Sequence, residues 1–377
     1  MIVARWGCVR GLVAAAVLTV AFASPAAAAT PSGFSPVPSP ALATGTLFGV
    51  DASGPNDVWA VGSGLLVGHW NGTAWSRVKL PEPWGSSPGI LFDVLAFSPT
   101  NVWAVGEIGP LGQRRALVIH RSAAGWVKYT LNQIPADAGQ TQLFGIGGSA
   151  GNLWAVGGRN DAQRPIALHF TGSSWQFVTP PSPPRDNLNY LQAVRAIGPS
   201  NVWFVGNLTT DGPGNSQRPW SIHWNGSSFG SVEFLTQPFP MPPNEYSAVM
   251  DLDAVGTVPI AVGSAANSSN IAQAAIWRRS SGTWNPTTPF SDPTSRRLNS
   301  VQAVGASNIW SVGERLTAAG EQRTWIVHWN GSSWVSLGGP NPRAGGSALN
   351  GISSVPGSAT LWAVGDSGGT PLILRRN

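Results

Sequence analysis

The sequence predicts an all-β protein: a seven-bladed β-propeller of four-stranded blades, its ring closed by an N-terminal strand that completes the last blade. Three observations predict it. A unit of about 50 residues recurs along the chain, the spacing of propeller-type repeats. Each copy carries an apolar run ending in glycine, and an uninterrupted apolar strand is one covered on both faces. Aromatic-rich hairpins built around Asn-Gly follow the run in several copies, so each unit supplies four strands. Radially stacked blades cover both faces of every sheet and leave only short edges.

Residues 1–29 read as a signal peptide. Arg5 and Arg10 precede an apolar run from Gly11 to Ala23, and the small residues Ala27 and Ala29 suit a signal peptidase. The run is short for a membrane anchor and no comparable run follows, so a secreted, extracellular chain without a membrane span is expected. The one cysteine, Cys8, lies in the leader, which leaves 30–377 as a single domain without thiol or disulfide. Thiolate metal sites and cysteine nucleophiles are thereby excluded.

Ring closure is expected from Gly33-Phe34-Ser35-Pro36-Val37, which resembles the fourth-strand segment Ala74-Trp75-Ser76-Arg77-Val78. The last copy ends with a third strand, Leu372 to Asn377, and lacks a fourth. Pro36 suits an outer edge, where a backbone donor can be spared. The first strands read as apolar-x-x-apolar at Leu47–Val50, Leu91–Val94, Leu143–Ile146, Leu191–Val194, Val249–Leu252, Val301–Val304 and Leu349–Ile352. The second strands read Val58 to Gly62, Val102 to Gly106, Leu153 to Gly157, Val202 to Gly206, Pro259 to Gly263, Ile309 to Gly313 and Leu361 to Gly365. The hairpins are clearest at His69 to Trp75 and His328 to Trp334, where Asn-Gly signals a two-residue turn with positive φ at both positions.

Blade three resembles the kelch-type propellers, the superfamily that includes the central domain of galactose oxidase. Leu153-Trp154-Ala155-Val156-Gly157-Gly158 looks like the kelch second strand with its double glycine, and Trp175 like the kelch tryptophan. The likeness covers residues 33 to 377. Six blades carry a single glycine, and histidine replaces the kelch tyrosine six residues before the aromatic. The Asn-Gly-x-x-Trp hairpins also resemble, more loosely, the blades of bacterial propeller lectins. Galactose-oxidase-type copper radical chemistry is excluded on residue content: it needs a cysteine-crosslinked tyrosine, and beyond the leader the chain has no cysteine.

All five histidines, His69, His120, His169, His223 and His328, share one repeat position, which argues for a scaffold role through a hydrogen bond to backbone rather than a metal or acid-base role. Equivalent positions in successive blades lie far apart and do not converge on an ion. No cofactor and no metal site is expected. The formal charge of +5 includes Arg5 and Arg10, and the remaining basic groups are dispersed, which argues against nucleic acid as a partner.

Ligands are expected on the face bearing the inter-blade loops and the second-to-third strand loops, where the copies differ most. Trp84, alone in Pro81-Glu82-Pro83-Trp84-Gly85, joins Tyr190 and Tyr246 as candidate stacking surfaces. The residue after the second-strand glycine varies between blades and supplies Glu107, Glu314 and Asp366 as polar candidates, the last two in adjacent blades. Arg323, with Arg115, Arg164 and Arg218, lies five residues before a repeat histidine and is either an inter-blade bridge or a ligand donor. These features point to a non-catalytic secreted binding module, monomeric, for glycan or another cell-surface ligand. The alternatives are an extracellular polysaccharide lyase or hydrolase, which needs unlike catalytic groups gathered in one sector, and a protein-interaction scaffold.

Overall fold

The computed structural model describes residues 30–42, 44–134, 139–159, 164–183, 188–209, 217–239, 246–290 and 292–377. Residues 1–29, the segment read above as a signal peptide, with Cys8, lie outside them. Among the described residues no helix is long and apolar enough to cross a membrane.

Seven sheets form the ring; five are built from four consecutive antiparallel strands, and the sixth and seventh each also take in a strand from the N-terminal segment. Blade one runs Leu47–Gly54, Asp57–Gly62, Leu66–Trp70 and Trp75–Arg77. The innermost strands of the other blades are Gly89–Ser98, Thr141–Ser149, Asn189–Gly198, Ser247–Val255, Arg296–Gly305 and Ser347–Ser354. Each packs beside the innermost strand of the next blade, and the last packs beside the first. Blade six shifts the expected register: its apolar pair is Leu298 and Val301, both buried, while Val304 is exposed. Leu298, Val301 and Val304 are spaced by three, so two readings of apolar-x-x-apolar fitted the same segment.

The core lies between blades. One cluster joins Leu47, Ala60, Leu66 and Trp75 of blade one to Trp362, Val364 and Ile373 of blade seven. Burial of both sheet faces accounts for the wholly buried second strand Asp57–Gly62. The glycine that ends each second strand has a steric cause. A Cβ on Gly62, Gly106, Gly157, Gly206, Gly263, Gly313 or Gly365 would lie inside van der Waals distance of a carbonyl oxygen on the blade's own innermost strand or, for Gly62, on Thr46 just before it.

Closure is as the sequence predicted. Ser35 pairs with Arg375 and Pro36 with Leu374, and the Val37 amide donates to Ile373 at 2.8 Å. Phe34 is buried edge-on to Trp310 of blade six, ring centroids 5.7 Å apart. A further contact carries no sequence signal: Thr30–Pro31 runs parallel to Leu337–Gly338, adding a fifth strand to blade six.

The Asn-Gly hairpins differ from the expected two-residue turn. Trp70 faces Trp75, which leaves a four-residue connection. Gly72 alone has positive φ, +98°, and Asn71 works as an acceptor: its Oδ1 takes the Thr73 and Ala74 amides, each at 3.0 Å. Asn225 and Asn330 do the same. An Asx turn satisfies the sequence as well as a primed turn does.

Candidate functional site in the central channel

Every innermost strand carries a β-bulge just after its first apolar anchor, so that one residue per blade is left unpaired. A bulge re-aims side chains. The seven bulged residues are Phe48, Phe92, Phe144, Gln192, Met250, Asn299 and Asn350, and all seven line a cavity of about 620 Å³ in the channel. They make its wall two-sided. Phe48 and Phe92 have centroids 5.6 Å apart, Phe92 and Phe144 5.3 Å, and Phe144 and Tyr190 5.6 Å, giving an aromatic arc across blades one to four. Amides occupy the opposite wall: Asn299 Nδ2 donates to Leu349 O and Asn350 Nδ2 to Leu47 O, both at 2.9 Å, which ties each blade to the next.

One step deeper stand Gly49, Asp93, Gly145, Ala193, Asp251, Ser300 and Gly351, all in the cavity lining. Asp93 accepts the amides of Val94 at 2.8 Å and of Ile146, in the next blade, at 2.9 Å. Asp251 accepts from Leu252 at 2.7 Å, and from the Ser300 hydroxyl and Val301 amide of blade six at 2.7 and 2.9 Å. Burial raises these carboxyls, Asp93 to about 7 and Asp251 to about 6, against the lowering effect of the amides. Both keep part of their surface open to the channel, which limits the desolvation.

Glu107, Gln142, Arg159, Tyr190 and Arg297 surround the cavity's wide end. Glu107 is buried and paired with Arg114. Burial raises its carboxyl while the Arg114 charge pulls it down. Tyr190 accepts a hydrogen bond from Gln217 at 2.9 Å, and burial pushes its phenol up to about 12, helped by neighbouring Tyr246. Gly158 makes room for it, since a Cβ there would crowd the Tyr190 Cβ. Arg297 pairs with Glu314 at 2.5 Å, and Gln322 donates to the other Glu314 oxygen. Asp366 lies close enough to Glu314 for that charge, after burial, to raise its carboxyl, while the Gly369 amide lowers it.

The structure thus brings Glu107 and Tyr190 to the cavity, with Tyr246 beside Tyr190, and it places Asp366 within reach of the charge of Glu314, which Arg297 of the cavity lining holds. Trp84 is separate: it starts a short 3₁₀ turn, Trp84–Ser86, and packs against the core between blades one and two. Arg323 is also apart, paired with Glu321 of its own blade at 2.6 Å. Arg218 likewise stays within its blade, over the Phe234 ring at 4.6 Å. Sequence reasoning missed the bulged residues and Asp93, Asp251 and Arg297. The available signal was the x-x inside each apolar-x-x-apolar strand, which varies from Phe-Gly to Asn-Ser while its flanks stay apolar.

No protein-family model matches the chain, and no curated protein matches it. Solved structures do. The protein YCF48 bound to D1 peptide superposes with a TM-score of 0.57 at 15% identity, covering 93% of this chain and 98% of that one. YCF48 from Cyanidioschyzon merolae gives 0.57 at 12%, covering 91% and 98%. An ulvan lyase, described as a new family of polysaccharide lyase and bound to its sugar, gives 0.55 at 12%, covering 88% and 94%. With the blades above, these likenesses define the class of protein: a seven-bladed β-propeller, an architecture that in these neighbours holds a peptide in one case and a polysaccharide in another. At such identities they speak for the fold alone.

Proposed function

We propose that this chain is a secreted, non-catalytic, monomeric binding module that takes a glycan into the wide end of its channel, the kelch-like character of blade three being part of that reading. The two-sided wall carries the proposal. A pyranose has an apolar C–H face and a rim of hydroxyls; the first suits the Phe48–Phe92–Phe144–Tyr190 arc, and the second suits the amides, Ser300 and Asp251 opposite. A cavity of about 620 Å³ is of small-ligand size. Asp366, with its raised carboxyl, favours the alternative of a polysaccharide lyase or hydrolase. Its neighbour Glu314 is committed to Arg297 and Gln322, so binding ranks above chemistry.

The test is a glycan array with purified residues 30–377, followed by calorimetry on the sugars retained. Phe92→Ala and Phe144→Ala should each weaken binding about tenfold, or about 1.4 kcal/mol. Unchanged affinity in both would move the site away from the channel. Release of new sugar ends from a bound polymer would establish the enzyme instead.

A further inference from the structure

Resting on that glycan reading, we propose that the cavity is a closed cup that takes the end of an uncharged glycan chain, not a stretch within it. The cavity lining reaches the ring that contains Asp93 and Asp251 and, in blades one and seven, the residues just after it, Val50 and Ile352. The next ring down is Asp51, Leu95, Gly147, Arg195, Asp253, Gln302 and Ser353, and none of these belongs to the lining. Their polar members are tied to one another and to the strands. Arg195 Nε meets Asp253 Oδ1 at 3.0 Å, Gln302 donates to Asp253 at 3.3 Å, and the Ser353 hydroxyl donates to Asp51 at 2.8 Å. The amides of Ala96 and Ala303 fix the remaining oxygens of Asp51 and Asp253, at 2.8 and 2.6 Å. This ring is a floor.

A chain entering such a cup terminates in it, because the side chains of this ring, held in place by contacts between neighbouring blades, stand in the path of a chain passing through. One that doubled back would need two strands of sugar side by side in about 620 Å³. Charge narrows the ligand further. The charged groups lining the cavity are Asp93, Glu107, Arg159, Asp251 and Arg297. Glu107, Arg159 and Arg297 stand at the mouth, so below it the charged groups are the two aspartates. A uronate or a sulfate pushed past the mouth would meet no cation there, and above about pH 7 it would face two carboxylates of its own sign.

Calorimetry on residues 30–377 with oligomers of uncharged sugars tests this: malto-, cello-, manno- and N-acetylchito-hexaose, each beside its soluble long-chain counterpart, with oligogalacturonate as the acidic probe. For a sugar that binds, the sites counted per gram should fall in proportion to chain length, since each chain offers its ends only. Sites per gram independent of length would overturn end recognition and leave the glycan reading standing. Tighter binding of oligogalacturonate would overturn the uncharged ligand. Failure of every sugar to bind would overturn the glycan reading and this inference together. Met250→Trp fills the cup at a bulged position and should lower affinity at least tenfold with an unchanged melting transition. Undiminished binding by that variant would place the sugar outside the cup.

Discussion

The five repeat histidines act through side chains, where a backbone partner was expected. In each, Nε2 lies 2.7–3.0 Å from the Oδ1 of the residue that opens the second strand: Asp57, Asn101, Asn152, Asn201 or Asn308. The ring rests on the tryptophan two residues further on, most closely parallel for His169 on Trp154 at 4.1 Å and 6°. Asx, Trp and His thus form one clasp per blade, repeated in five blades. Blade seven puts Arg375 over Trp362 instead. His169→Ala should therefore cost about 1–2 kcal/mol in urea unfolding and His169→Gln less, with ligand affinity unchanged in both. Lost binding with full stability would assign that histidine to a site. Burial lowers the imidazole pKa of His120, His169, His223 and His328. The unfolded chain then binds more protons than the folded one below about 6.5, so their contribution to stability falls as pH drops through that value.

At the scale of the strand, the decisive element is the shortest. Ser35–Pro36 covers the third strand of blade seven, and Phe34 fills the seam beside blade six. Deleting residues 30–46 should lower the melting temperature strongly, because an edge and a blade face are uncovered together. Phe34→Ala should cost about 3 kcal/mol, the loss of one buried aromatic, by chemical denaturation. A deletion variant as stable as the intact domain would refute closure at this seam. The second-strand glycines give a matching test. Gly157→Ala forces a methyl group against Gln142 O and should destabilise far beyond the usual propensity change of about 1 kcal/mol.

For the whole molecule, the ring is fastened from inside by aspartates that accept amides from the next blade. Asp51, Asp93 and Asp251 are raised by burial to about 6, 7 and 6. Their unfolded value is near 3.9, so between the two values the folded ring holds protons that the unfolded chain does not. Stability should accordingly rise as pH falls from 8 to about 6, the opposite sign to the histidines, which oppose it below about 6.5. Asp93→Asn should flatten the slope of urea midpoint against pH between 6 and 8, whatever it does to absolute stability. An unchanged slope would mean that Asp93 is ionised throughout.

The repeat determined the blade count, the closing strand and the shared position of the histidines, because each rests on local pattern: a covered strand is apolar, a crowded glycine admits no Cβ, and a missing strand at one end needs a partner at the other. Glu107 and Tyr190, candidates from the variable positions of the repeat, both line the channel cavity. Tertiary structure alone decided that Phe48, Phe92, Phe144 and Asn350 face one another. They are separated by up to 302 residues, and they share a cavity only because seven bulges turn them toward a common axis. It also decided that Trp84 packs against the core and that Arg323 pairs with Glu321, since a lone aromatic or a lone cation carries no mark of its partner. The contacts of Arg195 with Asp253 and of Ser353 with Asp51 were hidden for the same reason: these residues belong to four blades, and no local pattern connects them.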